Sequence, residues 1–195
     1  MKESMDRGIW QSEDGEVALR RFCREDMSLL YEKMNCREVL KNFRPSFAYP
    51  LDGKVFCNFF NEALASRLPQ DLIVEYCGML AGSISWRYET GRVDRVEFCY
   101  GWIAPEFRKH RIMSRVFTLL IDYVFALYPR CLIYGHCLAD NNPSIKNLIN
   151  FGFIRTPESE WVSRNGVLTE LCCYELSREA YRKNLSESVL YQKIS

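Results

Sequence analysis

The residues that could do chemistry fall between Tyr100 and Phe153. A strand pattern ends at Ile103, and Ala104-Pro105-Glu106-Phe107-Arg108-Lys109-His110-Arg111 leads from it into an apolar helix pattern that starts at Ile112 or Met113. A helix N-terminus reached by a tight loop favours anions, because its first N–H groups have no intrahelical partner and the dipole is positive there. This loop adds Arg108, Lys109 and Arg111, with Arg115 one turn on. A diphosphate cradle is one reading and a solvated basic turn is the other. Downstream, Asn141-Asn142-Pro143-Ser144 opens a short helix that Gly152-Phe153 closes. Alone, these residues read as helix caps with proline in the first turn. Both segments together, in this order, point past capping.

The elements that must position these residues run as one unit, with no repeat and no linker rich in Gly, Pro or Ser. Glu16 to Cys23 alternates as a strand, and Asp26 is expected to cap a helix carrying Leu29, Leu30 and Met34. A second helix covers roughly Val55 to Ser66, and the link from Asn42 to Gly53 holds Pro45 and Pro50 and must be irregular. Three strands follow, Asp71 to Tyr76, Met79 to Glu89 and Val93 to Ile103, joined by turns at Cys77-Gly78 and Thr90-Gly91-Arg92. Turns this short force antiparallel neighbours. Ile112 to Leu127 is a helix with one wet stripe, Ser114, Thr118 and Asp122. Arg130 to Ala139 is an apolar, covered strand, and a strand-helix-strand run implies a parallel pair. A strand from Phe153, an Asn165-Gly166 hairpin turn and a strand from Val167 to Leu176 close the sheet. The expectation is one α/β domain over residues 1–195, its core at 16–176 and its tail, 177–195, a loosely docked helix. Its sheet is mixed, mostly antiparallel, with six or seven strands.

A chain of 195 residues with 48% apolar and 26% charged residues is a globular domain, not a disordered or fibrous one. Its net charge of +1 gives no argument for nucleic acid or a membrane as partner. No apolar run approaches the ~18 residues of a membrane helix, and the first sixteen residues lack the apolar core of a secretory signal. That implies a cytoplasmic setting in which the nine cysteines are reduced thiols acting as small core hydrophobes. No CxxC pair or Cys/His ladder suggests a metal.

Three pieces of the chain resemble the GCN5-related N-acetyltransferase (GNAT) superfamily, most closely the branch with the ribosomal-protein N-terminal alanine acetyltransferases. Leu19 to Glu32 resembles the family's first strand and helix. Tyr100 to Val116 resembles its fourth strand, acetyl-CoA loop and third helix. Asn141 to Phe153 resembles its N-x-x-S followed by Gly-Phe. The resemblance implies that Arg108 opens the Q/R-x-x-G-x-G/A loop and Met113 ends it. The amides of Lys109, His110, Arg111, Ile112, Met113 and Ser114 would then hold the pyrophosphate of coenzyme A. Trp102, Ile103 and Ala104 would pair with the pantetheine arm and aim an N–H at the thioester oxygen, a contact typically worth ~3 kcal/mol in the transition state. Asn141 would bond the pantetheine or help fix the splay between the fourth and fifth strands, which form the parallel pair. Ser144 would lie near the leaving sulfur.

Two departures bear on this. Arg111 stands at the loop's middle glycine, where it adds a cation, obstructs the cradle or forces another loop shape. Leu148 replaces a tyrosine that many members use to protonate the thiolate, which leaves Ser144 as candidate acid. The implied reaction is direct transfer of acetyl to a primary amine, of a protein N-terminus or a small molecule. The amine must be neutral to attack, so a base is needed. Glu97 is the first candidate, one residue off the family's glutamate position, a displacement that a β-bulge could restore. Asp94 and His136 stand behind it. Rival readings make Glu97 an ion-pair partner of Arg95 or Arg92, and His136 a core histidine. Two alternatives differ in class: a degenerate binding or sensing module with weakened or lost acetyl-CoA binding, and an enzyme with another acyl donor or a nucleotide. The segments expected to wall the acceptor cleft hold Phe43, Phe47, Tyr49, Phe59 and Trp161 but few acids, which disfavours a polyamine acceptor. A homodimer is left open.

Overall fold

In the computed structural model, residues 9–43, 47–89, 92–164 and 167–194 are described. Eight strands form one mixed sheet in the order β1-β2-β3-β4-β5-β6-β8-β7. They are β1 (Ile9–Gln11), β2 (Val17–Arg21), β3 (Asp71–Tyr76), β4 (Met79–Glu89), β5 (Arg92–Ile103), β6 (Leu132–Leu138), β7 (Ile154–Arg164) and β8 (Val167–Leu176). Six α-helices accompany them among the described residues: α1 (Met27–Met34), α2 (Arg37–Leu40), α3 (Gly53–Ala65), α4 (Ile112–Leu127), α5 (Asn142–Asn150) and α6 (Arg178–Ile194). The strand count is one more than six or seven, because β1 has only three residues and is too short to show alternation. The turns expected at Thr90-Gly91 and Asn165-Gly166, and Pro45, lie outside the described residues.

The chain forms two compact units, one of residues up to Trp86 with Cys99–Leu120, the other of Arg87–Phe98 with the residues from Ile121 on. In the first, β1, β2, β3 and β4 are successive antiparallel neighbours. Asp52 caps α3 by accepting from the N–H groups of Lys54 (2.7 Å) and Val55 (3.2 Å). That fixes the helix phase, so Phe56, Phe59 and Phe60 fall on its buried side. They meet Leu30 and Met34 of α1 and Trp102 of β5 in a single core. Asp26 does not cap α1. Its carboxylate accepts from the Cys23 N–H (2.8 Å) and from both Nη atoms of Arg20 (2.7 Å each), closing a 3₁₀ turn at Arg24–Asp26 just before the helix.

In the second unit β5 pairs parallel with β6, through Arg95↔Leu132, Val96↔Ile133 and Glu97↔Tyr134, and β6 and β7 both flank β8 antiparallel. The parallel ladder has three steps and stops at Glu97 and Tyr134. One residue further a Cβ on Gly135 would lie 3.2 Å from the Phe98 carbonyl oxygen, so the backbones there approach as only glycine comfortably allows. Ile133 and Cys137 are buried on one face of β6, while Tyr134 and His136 on the other are half-buried. Helix α6 is anchored rather than loose at its first turn, where Tyr181 is buried and its ring lies 6.1 Å from that of Phe125. Four of the nine cysteines, Cys131, Cys137, Cys172 and Cys173, are buried, and the other five reach solvent to some degree. Among the described residues no helix is long and apolar enough to cross a membrane.

Candidate active site

In the first unit the end of β5 is locked against β4. The Ala104 N–H donates to the Ala81 carbonyl at 2.8 Å. The Trp102 carbonyl lies over Gly82, where a Cβ would sit 2.0 Å from its oxygen. Backbone groups of residues two apart point the same way in a strand. Trp102 and Ala104 therefore face β4, and Ile103 turns its N–H away from it. Of the three residues expected to reach the thioester, Ile103 has the direction that suits the task.

Pro105 then ends the strand and opens a single 3₁₀ turn, Pro105–Phe107. Between it and α4, Lys109 (φ 72°) and Arg111 (φ 53°) both adopt the left-handed region. Each such conformation costs a non-glycine residue about 1 kcal/mol, and strain of this kind collects where backbone groups are held for a ligand. Arg111 thus holds a backbone conformation of the kind that favours glycine. His110 stacks on Tyr76, ring centres 5.2 Å apart.

Of the loop's four cationic side chains, two are engaged inside the protein. Arg108 donates from Nη1 to Glu38 Oε2 (3.0 Å), from Nη2 to the Glu38 carbonyl (3.3 Å) and from Nε to the Ile103 carbonyl (3.3 Å). Arg115, on the first turn of α4, pairs with Glu16 (2.8 Å) and Asp14 (3.3 Å). Lys109 and Arg111 are exposed and form no ion pair among the described residues. Ile112 is buried and seats the helix, while Met113 and Ser114 are half-buried.

In the second unit Glu97 and His136 meet, Oε1 to Nδ1 at 3.1 Å. Arg95 pairs with Glu175, the Arg92 side chain lies outside the described residues, and His136 is partly exposed rather than sealed in the core. The Arg95 guanidinium also lies 4.6 Å over the Tyr134 ring, which meets His136 edge-on at 5.7 Å. Asp94 is exposed at the start of the same strand. Further along β5, Tyr100 holds a left-handed backbone, φ 52°.

Asn141 stands at the N-cap position of α5, yet its side chain makes no capping hydrogen bond, so the capping reading fails for it. The Cys137 thiol donates to the carbonyls of Leu138 (3.5 Å) and Asn141 (3.8 Å); burial pushes that thiol up, and Ser144, in the first turn of α5, acts on it the other way. Leu148 is buried on the same helix. Among the described residues no cluster of three His, Cys, Asp or Glu is arranged to hold a metal.

Sequence reasoning missed Gly82, Glu38 and Tyr134. Gly82 had a signal, a glycine inside a strand pattern, which marks close backbone approach. The other two depend on tertiary register and had none.

A family model described as an acetyltransferase (GNAT) domain matches residues 16–154. Among solved structures, a GNAT-family acetyltransferase from Bacillus anthracis is 18% identical, covers 88% of this chain and 99% of its own, and superposes with a TM-score of 0.73. A spermidine N-acetyltransferase from Vibrio cholerae, in complex with CoA and spermine, is 18% identical, with 85% and 98% covered and a TM-score of 0.71. RimL, a ribosomal alpha-N-protein acetyltransferase, is 14% identical, with 83% and 90% covered and a TM-score of 0.67. At these identities the likeness is one of fold. No curated protein sequence matches the chain.

Proposed function

Since the chain belongs to the GNAT acetyltransferase family, we propose that it moves the acetyl group of acetyl-CoA to a primary amine by direct attack. The observation that carries the reading is the loop before α4, where Lys109 and Arg111 both hold a strained, left-handed backbone. The amides of Lys109 to Ser114, at the start of a sixteen-residue helix, are the groups to bind a pyrophosphate. The exposed Lys109 and Arg111 side chains add charge beside it.

Acetyl-CoA supplies an activated acyl group, and the chain's residues do the rest. The Ile103 N–H faces away from β4, as a donor to the thioester oxygen must. Glu97 and His136, joined at 3.1 Å, are the groups that receive the amine's proton. As the new C–N bond forms and the C–S bond breaks, Ser144 gives the leaving thiolate its proton. Asn141, whose side chain does no capping, is the group to hold the pantetheine arm. Among acceptors, the reading favours a protein N-terminus or a small amine over a polyamine. The Leu148 and Ser144 pair fits the branch of the ribosomal-protein N-terminal acetyltransferases.

The test is thiol release from acetyl-CoA over a panel of peptides, polyamines and aminoglycosides, beside thermal shifts with acetyl-CoA, CoA and ATP. A ligand of the native state adds RT ln(1 + [L]/Kd) to stability, so acetyl-CoA and CoA are expected to raise Tm. A shift with ATP alone, and no thiol release, would overturn the reading.

A further inference from the structure

The three-step ladder between β5 and β6 sets Glu97 directly beside Tyr134 and, two residues on, within 3.1 Å of His136. A carboxylate can only accept, so the shared proton sits on Nδ1, and the imidazole lone pair is left on Nε2. The ring's plane is fixed from the other side. Tyr134 meets it at 89°, and Tyr134 is in turn covered by the Arg95 guanidinium, itself tied to Glu175. Cys173 lies directly across the antiparallel ladder from His136. Among the described residues, these five are charged or titratable groups placed around the ring by β5, β6 and β8. Yet 24% of the His136 side chain reaches solvent, against 18% for Glu97. The more accessible end of the pair is the imidazole.

Resting on the acetyltransferase reading above, we propose that His136 Nε2 is the proton acceptor of the reaction. Glu97 is the carboxylate that orients the ring and stabilises the imidazolium, and Tyr134 is a positioning residue. The attacking amine's ammonium N–H bond breaks and its electron pair stays on nitrogen to form the C–N bond. The proton passes to Nε2, giving an imidazolium whose Nδ1–H stays bonded to Glu97. No oxidant or further reactant enters. A base whose ring is oriented by a third group in this way follows the general logic of carboxylate-oriented histidines.

Two measurements test it. The first is the ¹⁵N spectrum of the resting protein, independent of turnover: His136 is expected as the Nδ1–H tautomer, with Nε2 showing the shift of an unprotonated ring nitrogen. A resting Nε2–H tautomer overturns the proposal. The second is the pH dependence of kcat/KM for acetyl transfer. His136→Gln is expected to lower the rate about 100-fold and make it climb with pH. Glu97→Gln is expected to lower kcat by less than His136→Gln does, because the ring keeps its lone pair but loses the carboxylate that orients it. Tyr134→Leu lowers kcat with little change in KM, and Tyr134→Phe restores it. A His136→Gln profile that overlays the parent, with Glu97→Gln the slower variant, makes Glu97 the base and overturns the assignment alone. Absence of transfer by the parent protein, with any amine, overturns the acetyltransferase reading and this assignment with it.

Discussion

Glu16, at the end of the turn that follows β1, holds the guanidinium of Arg115 on the first turn of α4 at 2.8 Å, with Asp14 adding a second contact at 3.3 Å. The cation on the first turn of the helix is thereby partly neutralised. Releasing it should strengthen the positive field at the loop. The double variant Asp14→Asn, Glu16→Gln is expected to bind CoA a few-fold more tightly and with a steeper loss of affinity as salt rises. Calorimetry at two ionic strengths checks this, and equal salt slopes in variant and parent would place Arg115 outside the reach of the phosphates.

Arg111 holds a φ of 53°. Glycine would relieve about 1 kcal/mol of strain but lose about as much to unfolded-chain entropy, so Arg111→Gly is expected to leave Tm nearly unchanged. CoA binding by that variant should weaken and become less sensitive to salt, because a phosphate contact is lost. Arg111→Val, forced into a conformation that branched residues avoid, should lower stability by about 1 kcal/mol or more. Tighter CoA binding by the glycine variant would show that the arginine obstructs the cradle.

Gly82 lies where any side chain would meet the Trp102 carbonyl oxygen at 2.0 Å, with the Trp102 carbonyl carbon and Ile103 Cα close behind. All three are backbone atoms and cannot swing aside. Gly82→Ala is expected to destabilise the protein by about 3 kcal/mol, as the end of β5 is pushed off β4. Urea denaturation followed by tryptophan fluorescence measures it; a loss under about 1 kcal/mol would mean that the strand shifts at little cost.

Burial alone would raise the Asp26 carboxyl, but Arg20 and the Cys23 N–H outweigh it and hold it below the usual aspartate range. A depressed folded value means that the unfolded chain binds the proton more readily. This contribution is therefore fully present above about pH 4, the ordinary aspartate value, and is lost as pH falls through the folded one. Asp26→Asn should cost about 2 kcal/mol at pH 7, the scale of a charge-assisted hydrogen bond. The gap to the parent should close with acidification, and a gap independent of pH would exclude the carboxylate as its cause.

Ser144→Ala is expected to lower kcat for acetyl transfer while leaving the Kd for acetyl-CoA nearly unchanged. If the hydroxyl serves only the fold at the start of α5, the variant should instead lose stability at unchanged kcat. Pre-steady-state thiol release and thermal melts on the same preparation separate the two outcomes.

The parts of this protein legible in sequence are those set by punctuation and period. Pro105 ended β5, the wet stripe Ser114, Thr118 and Asp122 phased α4, and Asp71 to Tyr76 read as a strand from its composition. β1 escaped because three residues show no period, and its pairing with β2 is what makes it a strand. Asp26 was assigned to the helix it precedes, since nothing local reveals that Arg20 would claim its carboxylate. The loop at Lys109–Arg111 was found by residue type, but its left-handed backbone was not, because arginine and lysine do not advertise it. The Glu97–His136 contact joins residues 39 apart. It follows from a parallel register that no turn fixes, so the sequence named both residues but gave no reason to pair them.

The route of the chain between its two compact units sets an order of events during synthesis. It leaves the first unit after Trp86 and re-enters at Cys99, inside β5, then leaves again after Leu120, inside α4. Every segment of the first unit has therefore emerged once Leu120 is made, whereas β6, α5, β7, β8 and α6 of the second are still to come. Chains fold from the N-terminal side as they are produced, at roughly 5–20 residues per second. The Phe22, Phe56 and Trp102 core can therefore begin to collapse roughly 1–4 s before β6 is complete and can pair with β5. Until then the edge of β5 at Arg95 to Glu97 lacks its β6 partner and is open to a wrong one.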